Sequence, residues 1–353
     1  MKKLRIIVVG CGNMGSSHAR SYHKLEGFEL AGLVDRNIMT REKLGKELRV
    51  PCFDRFETAL SQIKPDAVAV CTYPDTHAEL VTKSLRAGAH VFVEKPLAVT
   101  VREAEEITRL AVQLKRKLVV GYILRVHPSW KKFIEIARTL GSPLVMRMNL
   151  NQQSSGKNWN THVKLMESMS PIVDCGVHYV DVMCQMTGSR PVRVSAIGAR
   201  LTGQIAASMY NYGQLQVSFE DGSVGWYEAG WGPMMSQTAF FVKDVIGPKG
   251  SVSIMDAVKD KESDDISAHT KTNRLLLHHS DINEQGNFTL KDEIISTEDE
   301  PDHQGLCDLE QEFFFHSIVN ETDLSEHQRD AVNSLRIVLA ADEAARTGKT
   351  IDV

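Results

Sequence analysis

Apolar and polar residues alternate along the first third of the chain in two rhythms. Continuous apolar runs occur at Leu4–Val9, Leu30–Val34, Ala67–Cys71, His90–Val93 and Leu118–Gly121. Between them lie segments with helical spacing, at Asn13–Leu25, Arg41–Leu48, His77–Ala87 and Val101–Lys115. In the last of these, Val101, Ala104, Ile107, Leu110, Ala111 and Leu114 form one apolar stripe, and Thr100 with Glu103 reads as a capping box. Unbroken apolar strands are what a parallel sheet covered on both faces requires. Regular strand–helix alternation then predicts a doubly wound α/β sheet with right-handed crossovers.

The rhythm changes after about residue 122. The pattern predicts a helix at Ser129–Leu140, a strand at Leu144–Gln152, a polar loop at Ser154–Thr161 and a helix at Val173–Thr187. Strands follow at Val192–Leu201, Gln214–Phe219 and Ser223–Ala229, with an Asp221-Gly222 hairpin turn between the last two. Phe240–Ile246 and Ser251–Met255 flank a second turn, Lys259–Asp265 reads as an exposed charged loop, and helices close the chain at Asp308–Asn320 and Ser325–Thr347, the latter with a Ser325/Gln328 capping box. The expected division is a doubly wound domain at 1–122, followed at 123–353 by an α+β domain with a mostly antiparallel sheet.

The 353 residues fit two domains at roughly 150 each. Lys plus Arg is 41 against 45 for Asp plus Glu, a net charge of −4 that argues against a general nucleic-acid binder. No apolar run reaches the roughly 18 residues of a membrane span, and the first apolar run ends in a glycine motif rather than a signal-peptide cleavage site. Six cysteines without a C-x-x-C pair fit reduced thiols in a cytoplasmic protein. His278-His279 is no metal pair, because neighbours on a strand face opposite ways, and no metal site is expected. Phe313-Phe314-Phe315 reads as helix packing.

Gly10-Cys11-Gly12-Asn13-Met14-Gly15 follows the first strand and opens the first helix. In such a turn the first glycine allows the bend, the second admits a pyrophosphate, and the third permits close helix–strand packing, with the helix N-terminus facing the phosphates. Asp35 ends the second strand, 20 residues past Gly15, the spacing of a carboxylate that binds the adenosine ribose. It favours NAD. Arg36, able to stack on adenine or pair with a 2′-phosphate, keeps NADP open. Two further loops, Thr72-Tyr73-Pro74-Asp75-Thr76-His77 and Glu94-Lys95-Pro96, sit at the carboxyl ends of later strands, where such sheets bind ligands. Asp174 and His178, four residues apart, share a helix face.

In order along nearly the whole chain, G-x-G-x-x-G, the acid of the second strand, T-x-P-x-x-H (Thr72, Pro74, His77), E-K-P (Glu94, Lys95, Pro96), G-Y-x-x-R-x-x-P (Gly121, Tyr122, Arg125, Pro128) and D-x-G-x-H-x-x-D (Asp174, Gly176, His178, Asp181) resemble the glucose–fructose oxidoreductase, inositol dehydrogenase and rhizopine-catabolism (Gfo/Idh/MocA) family. The resemblance implies a Rossmann domain joined to a larger domain with an open sheet that forms homodimer or homotetramer contacts. It also implies sugar or polyol substrates and a cis Lys95–Pro96 bond. One departure is Ser168–Val173, where many members are glycine-rich; those positions line the substrate pocket, so no member's substrate carries over.

The expected activity is hydride transfer between a nicotinamide and a secondary hydroxyl of a sugar, inositol or related polyol. His178 serves as general base, Asp174 orients it, and Lys95 donates to the reacting oxygen. Gly10, Gly12, Asn13, Met14, Gly15, Asp35, Arg36, Thr72, Tyr73, Pro74, His77, Glu94, Lys95 and Pro96 are assigned to the cofactor. Arg125, Trp159, His162, Lys164 and Trp231, with Asp174 and His178, are assigned to the substrate, since flat aromatic faces suit sugar C–H faces. The competing readings are an NAD-dependent glycoside hydrolase or lyase with transient sugar oxidation, and a non-catalytic cofactor-binding sensor.

Overall fold

A computed structural model describes residues 3–236, 242–255, 272–297 and 300–353. The chain forms two compact units. The first comprises residues 1–126 and 301–332, the second 127–300 and 333–353. A C-terminal segment, residues 301–332, thus returns to the first unit. No local pattern marks that return, because it is set by contacts with residues some 290 positions earlier, such as Tyr22 with Gln311.

In the first unit, strands β1 (Leu4–Val9), β2 (Phe28–Val34), β3 (Cys52–Phe53), β4 (Ala67–Val70), β5 (His90–Glu94) and β6 (Leu118–Gly121) alternate with helices α1 (Asn13–Lys24), α2 (Ile38–Leu48), α3 (Phe56–Ile63), α4 (His77–Arg86) and α5 (Val101–Gln113). The six strands are all parallel, in the order β3-β2-β1-β4-β5-β6. The order reverses between β1 and β4, which creates a crevice at their carboxyl ends. Ile6, Ile7, Val8, Ala67, Val68, Val91 and Phe92 are fully buried, as the continuous apolar runs require. The α5 capping box is present: Thr100 accepts from the Glu103 N–H and Glu103 from the Thr100 N–H, each at 3.2 Å.

The second unit opens with α6 (Pro128–Thr139), β7 (Val145–Gln153), α7 (Gly156–Leu165), α8 (Pro171–Asp174) and α9 (Gly176–Thr187). Strands β8 (Pro191–Ala199), β9 (Tyr212–Phe219), β10 (Val224–Gly232), β11 (Lys243–Gly247), β12 (Gly250–Met255), β13 (Asn273–His279) and β14 (Glu293–Thr297) follow. A returning α10 (His303–Val319), a long α11 (Ser325–Thr347) and β15 (Ile351–Asp352) complete the chain. The nine-stranded sheet runs β14-β13-β12-β11-β7-β10-β9-β8-β15 and is antiparallel except where β10 pairs with β7. Along β9, Gly213, Leu215, Val217 and Phe219 are buried while Gln214, Gln216 and Ser218 are not, the alternation of a sheet covered on one face. Gly222, at φ +85°, makes the predicted β9–β10 turn.

Three local readings change. The loop expected at Ser154–Thr161 is largely helix α7; its polar first turn hides the apolar positions that follow. The helix expected at Val173–Thr187 is α8 and α9, joined at Cys175. The Ser325/Gln328 box does not form: the Asp323 carboxylate accepts from the Ser325 N–H (2.9 Å), and Gln328 turns to the Leu118 carbonyl (3.4 Å). Lys259–Asp265 and the start of Phe240–Ile246 lie outside the described residues. Phe314 is buried, its ring 6.0 Å from Phe28 and 6.2 Å from Phe92, and Phe315 lies 5.5 Å from Phe28, so these two pack α10 onto the first unit while Phe313 is exposed. His278 and His279 pair separately, with Asp292 and Glu293, each at 2.8 Å. Among the described residues no helix is long and apolar enough to cross a membrane.

Candidate functional site

The crevice of the first unit is built by three loops. At the first, Gly10 has φ +92° and a Cβ there would lie 2.4 Å from the Cys71 carbonyl oxygen. A Cβ on Gly15 would lie 1.9 Å from the Gly10 carbonyl oxygen, so α1 can leave β1 at this angle only without side chains. Nothing lies within 4 Å of a Cβ on Gly12, and no side chain caps the α1 N-terminus that begins there. This open cradle, with Asn13 and Met14 in its first turn, fits a pyrophosphate.

Asp35 lies just beyond β2 and is locked. Its Oδ2 accepts from the Cys11 N–H at 2.7 Å and its Oδ1 from the Asn37 N–H at 2.8 Å. The carboxylate is thus tied directly to the glycine turn. Arg36 is exposed. Arg41, which the sequence reading passed over, donates from its guanidinium to the Asp35 carbonyl (3.0 Å) and the Arg36 carbonyl (3.3 Å), bringing a second cation to this corner.

The second loop holds Thr72 against Thr76 through their hydroxyls at 2.7 Å, with Pro74 opening a 3-10 turn and Tyr73 exposed. His77 is fully buried and faces two carbonyls: Nδ1 lies 2.8 Å from the Pro96 oxygen and Nε2 3.0 Å from the Thr72 oxygen. It ties the second loop to the third. Burial lowers its pKa, so the neutral ring donates to one carbonyl at a time.

The third loop is Glu94-Lys95-Pro96, with the Lys95–Pro96 bond cis. Glu94 is buried. Its Oε1 lies 2.7 Å from His18 Nε2, and its Oε2 accepts from the Lys95 N–H at 3.1 Å. Lys95 is half-buried at the carboxyl end of β5. Arg125, also in the first unit, pairs with buried Asp330 at 3.2 Å.

In the second unit, Trp159, His162 and Trp231 come together. His162 stacks on Trp231 at 4.4 Å and 10°, and its Nδ1 meets the Ser154 hydroxyl at 2.9 Å. Trp159 and Trp231 are buried in a cluster with Met166, Cys175, Ile205 and Met209. The two indoles thus serve as packing here, with little of their faces open. The Trp231 indole donates to Gln152 Oε1 (2.7 Å), which also faces the Cys175 thiol (3.5 Å), and that thiol lies 3.6 Å from Asp174 Oδ2. Asp174 and His178 flank the Cys175 joint and are both half-buried. Gly176 lets α9 start against the Tyr227 ring, which a Cβ would meet at 3.0 Å. Lys164 is exposed on α7. Within Ser168–Val173, the Ser170 hydroxyl caps α8 and meets the Tyr210 hydroxyl (2.9 Å), which also binds Asp342 (2.8 Å).

The sheet order, the glycine cradle and its tethered acid define a dinucleotide-binding Rossmann protein with a second, open-sheet domain. More particularly, the chain belongs to the Gfo/Idh/MocA oxidoreductases. Residues 4–122 match the family described as "Oxidoreductase family, NAD-binding Rossmann fold", and residues 131–253 match its C-terminal domain. UDP-N-acetylglucosamine 3-dehydrogenase of Acidithiobacillus ferrooxidans is 28% identical over 198 residues, which cover 56% of this chain and 59% of that protein. A scyllo-inositol 2-dehydrogenase (NAD(+)) of Bacillus subtilis is 26% identical, covering 71% of this chain and 74% of its own. The fold matches scyllo-inositol dehydrogenase from Lactobacillus casei, solved with NAD(H) and scyllo-inositol, with a TM-score of 0.78 at 22% identity over 99% of both chains. The chain spans little more than half the length of several relatives that it matches, including an inositol 2-dehydrogenase of Paracoccus denitrificans at 53%.

Proposed function

We propose that the protein is an NAD-dependent dehydrogenase acting on a secondary hydroxyl of a sugar, inositol or related polyol. The observation that carries this reading is the Rossmann crevice with the Asp35 carboxylate bonded to the Cys11 N–H, beside a loop presenting Lys95. A carboxylate so placed accepts from ribose hydroxyls and repels a 2′-phosphate, which favours NAD over NADP. A nicotinamide dinucleotide held there supplies the hydride acceptor.

The chain's own residues handle the proton and the charge. Lys95 donates to the substrate oxygen and stabilises the negative charge that grows as the C–H bond breaks. His178 accepts the hydroxyl proton, a task suited to an imidazole near neutral pH, and Asp174 orients it. Arg125, His162 and Lys164 contribute polar contacts to the substrate, while Trp159 and Trp231 shape the wall behind His162. Self-association through the uncovered face of the large sheet belongs to the same reading, supported by exposed Val145, Ile197 and Val224.

The test is a panel of inositols, aldoses and sugar acids with NAD and NADP, followed by NADH absorbance at alkaline pH. Turnover with NAD is expected. Lys95→Met and His178→Asn should each lower kcat by about a hundredfold to ten-thousandfold while NADH still binds. Full activity in Lys95→Met would overturn the assignment. Tightly held NAD with sugar cleavage and no net NADH would instead establish the transient-oxidation reading.

A further inference from the structure

A buried hydrogen-bond chain runs through the first unit and ends on the backbone of Lys95. It starts at Tyr22, whose hydroxyl contacts Gln311 Oε1. Gln311 Nε2 lies 2.9 Å from His18 Nδ1, His18 Nε2 lies 2.7 Å from Glu94 Oε1, and Glu94 Oε2 accepts from the Lys95 N–H at 3.1 Å. Tyr22, His18 and Gln311 are all fully buried.

The direction of each bond follows from the donor inventory. An amide oxygen only accepts, so Tyr22 donates to Gln311. An amide nitrogen only donates, so His18 Nδ1 is the acceptor. The ring proton that this leaves sits on Nε2 and points at Glu94. With both carboxylate oxygens occupied by donors, Glu94 holds the Lys95 amide in one place.

The chain depends on α10. That helix is fastened to α1 by Ser21–Asp308 (2.7 Å), Lys24–Asp308 (2.6 Å) and Gln304 to the Ser17 carbonyl (3.1 Å). Phe315 seats against Gly27, where a Cβ would lie 2.4 Å from the ring. Gln311 is thereby delivered to a helix whose N-terminus is the glycine cradle. The ring of His18 also packs edge-on to Phe92 of β5 at 4.8 Å, on the strand that carries the lysine loop.

We propose that His18 and Gln311 are positioning residues for Lys95, through which the returning helix α10 orients the lysine loop. The proposal rests on the dehydrogenase reading, in which Lys95 meets the reacting oxygen. His18→Leu removes both links. His18→Gln offers an amide oxygen to Gln311 and an amide N–H to Glu94, and so can restore them.

The experiment has two arms. In the cofactor-free protein, amide hydrogen exchange of the peptide spanning residues 93–98 reports the Lys95 N–H. Exchange should rise about tenfold to a hundredfold in His18→Leu and return toward wild type in His18→Gln. In turnover with NAD and the polyol found by the panel, His18→Leu should lose kcat by a similar factor with KM unchanged and NADH affinity retained, and His18→Gln should recover it. Unchanged exchange and kcat in a folded His18→Leu would overturn the proposal and leave the dehydrogenase reading standing. Full activity in Lys95→Met would remove that reading itself. If His18→Leu fails to fold, Tyr22→Phe, which frees Gln311 to rotate, must show the same pattern at smaller size; wild-type behaviour there would equally overturn it.

Discussion

Glu310 sits inside the first unit near Glu94, and both of its carboxylate oxygens are buried without a hydrogen-bond partner. Burial, then the neighbouring Glu94, pushes its pKa well above the ordinary carboxyl value of 4.5. Glu94 accepts from His18 and from the Lys95 amide, whereas Glu310 has no such donor, so of the two it is Glu310 whose ionised form is disfavoured.

A stability effect follows. A carboxyl whose folded pKa is raised contributes stability that is fully present below pH 4.5 and lost as pH rises through the folded value. Glu310→Gln should therefore gain thermal stability relative to wild type as pH rises above about 4.5. Melting temperatures of both proteins across pH 4 to 8, roughly the window in which such linkage acts, check this; a difference independent of pH would refute it.

Three histidines of the first unit act in the opposite sense. Burial lowers the pKa of His77 and His327, and pushes that of His90 down to about 4. His90 Nδ1 accepts from the Lys117 N–H and His327 Nε2 from the Val120 N–H, both at 2.9 Å, roles that only an unprotonated nitrogen can fill. The unfolded chain takes up these protons first, so stability is lost as pH falls from about 6.5 toward the folded values. The melting temperature should drop across that window, and His90→Asn should flatten the slope. An unchanged slope in the variant would show that His90 does not contribute.

Gly15→Ala tests the cradle. The added methyl would lie 1.9 Å from the Gly10 carbonyl oxygen, a backbone atom that cannot swing away. A loss of about 1–3 kcal/mol in stability is expected from the forced shift, together with loss of NADH binding in a fluorescence titration. Binding at wild-type affinity would mean that α1 and β1 can part without disturbing the phosphate site.

Asp35→Asn separates charge from geometry. The asparagine oxygen can still accept from the Cys11 N–H, but the negative charge is gone. NAD affinity should fall about tenfold while the ratio of NADP to NAD binding rises, helped by Arg41 at the same corner. Competitive titration of both dinucleotides against NADH gives the answer, and an unaltered ratio would place cofactor choice elsewhere.

Much of this was readable from the residues alone. The buried parallel strands announce themselves because a strand covered on both faces has no polar position to interrupt it, and Leu4–Val9 and Leu118–Gly121 agree to the residue. The cradle, Asp35 and the lysine loop were readable because each sits at a fixed offset from a strand end. His18 and Gln311 carried no such signal, since their partnership spans 293 positions and leaves no local period. Trp159 and Trp231 looked like free aromatic faces until α7 and β10 brought them into one buried cluster with His162 beside them. Asp174 closes α8 and His178 lies in α9, so a joint at Cys175 replaces the continuous helix that their spacing implied.

Helix α11 starts in the first unit and finishes in the second, after α10 has already come home to the strands where the chain began. Three crossings of the polypeptide, near residues 126, 300 and 332, must therefore be respected by anyone who wants to transplant a half of this molecule. A single cut after the sixth strand would strip Phe28 and Phe92 of their aromatic cover. Swapping in a new specificity would be an insertion together with a new C-terminal tail, stitched at three points, rather than a fusion.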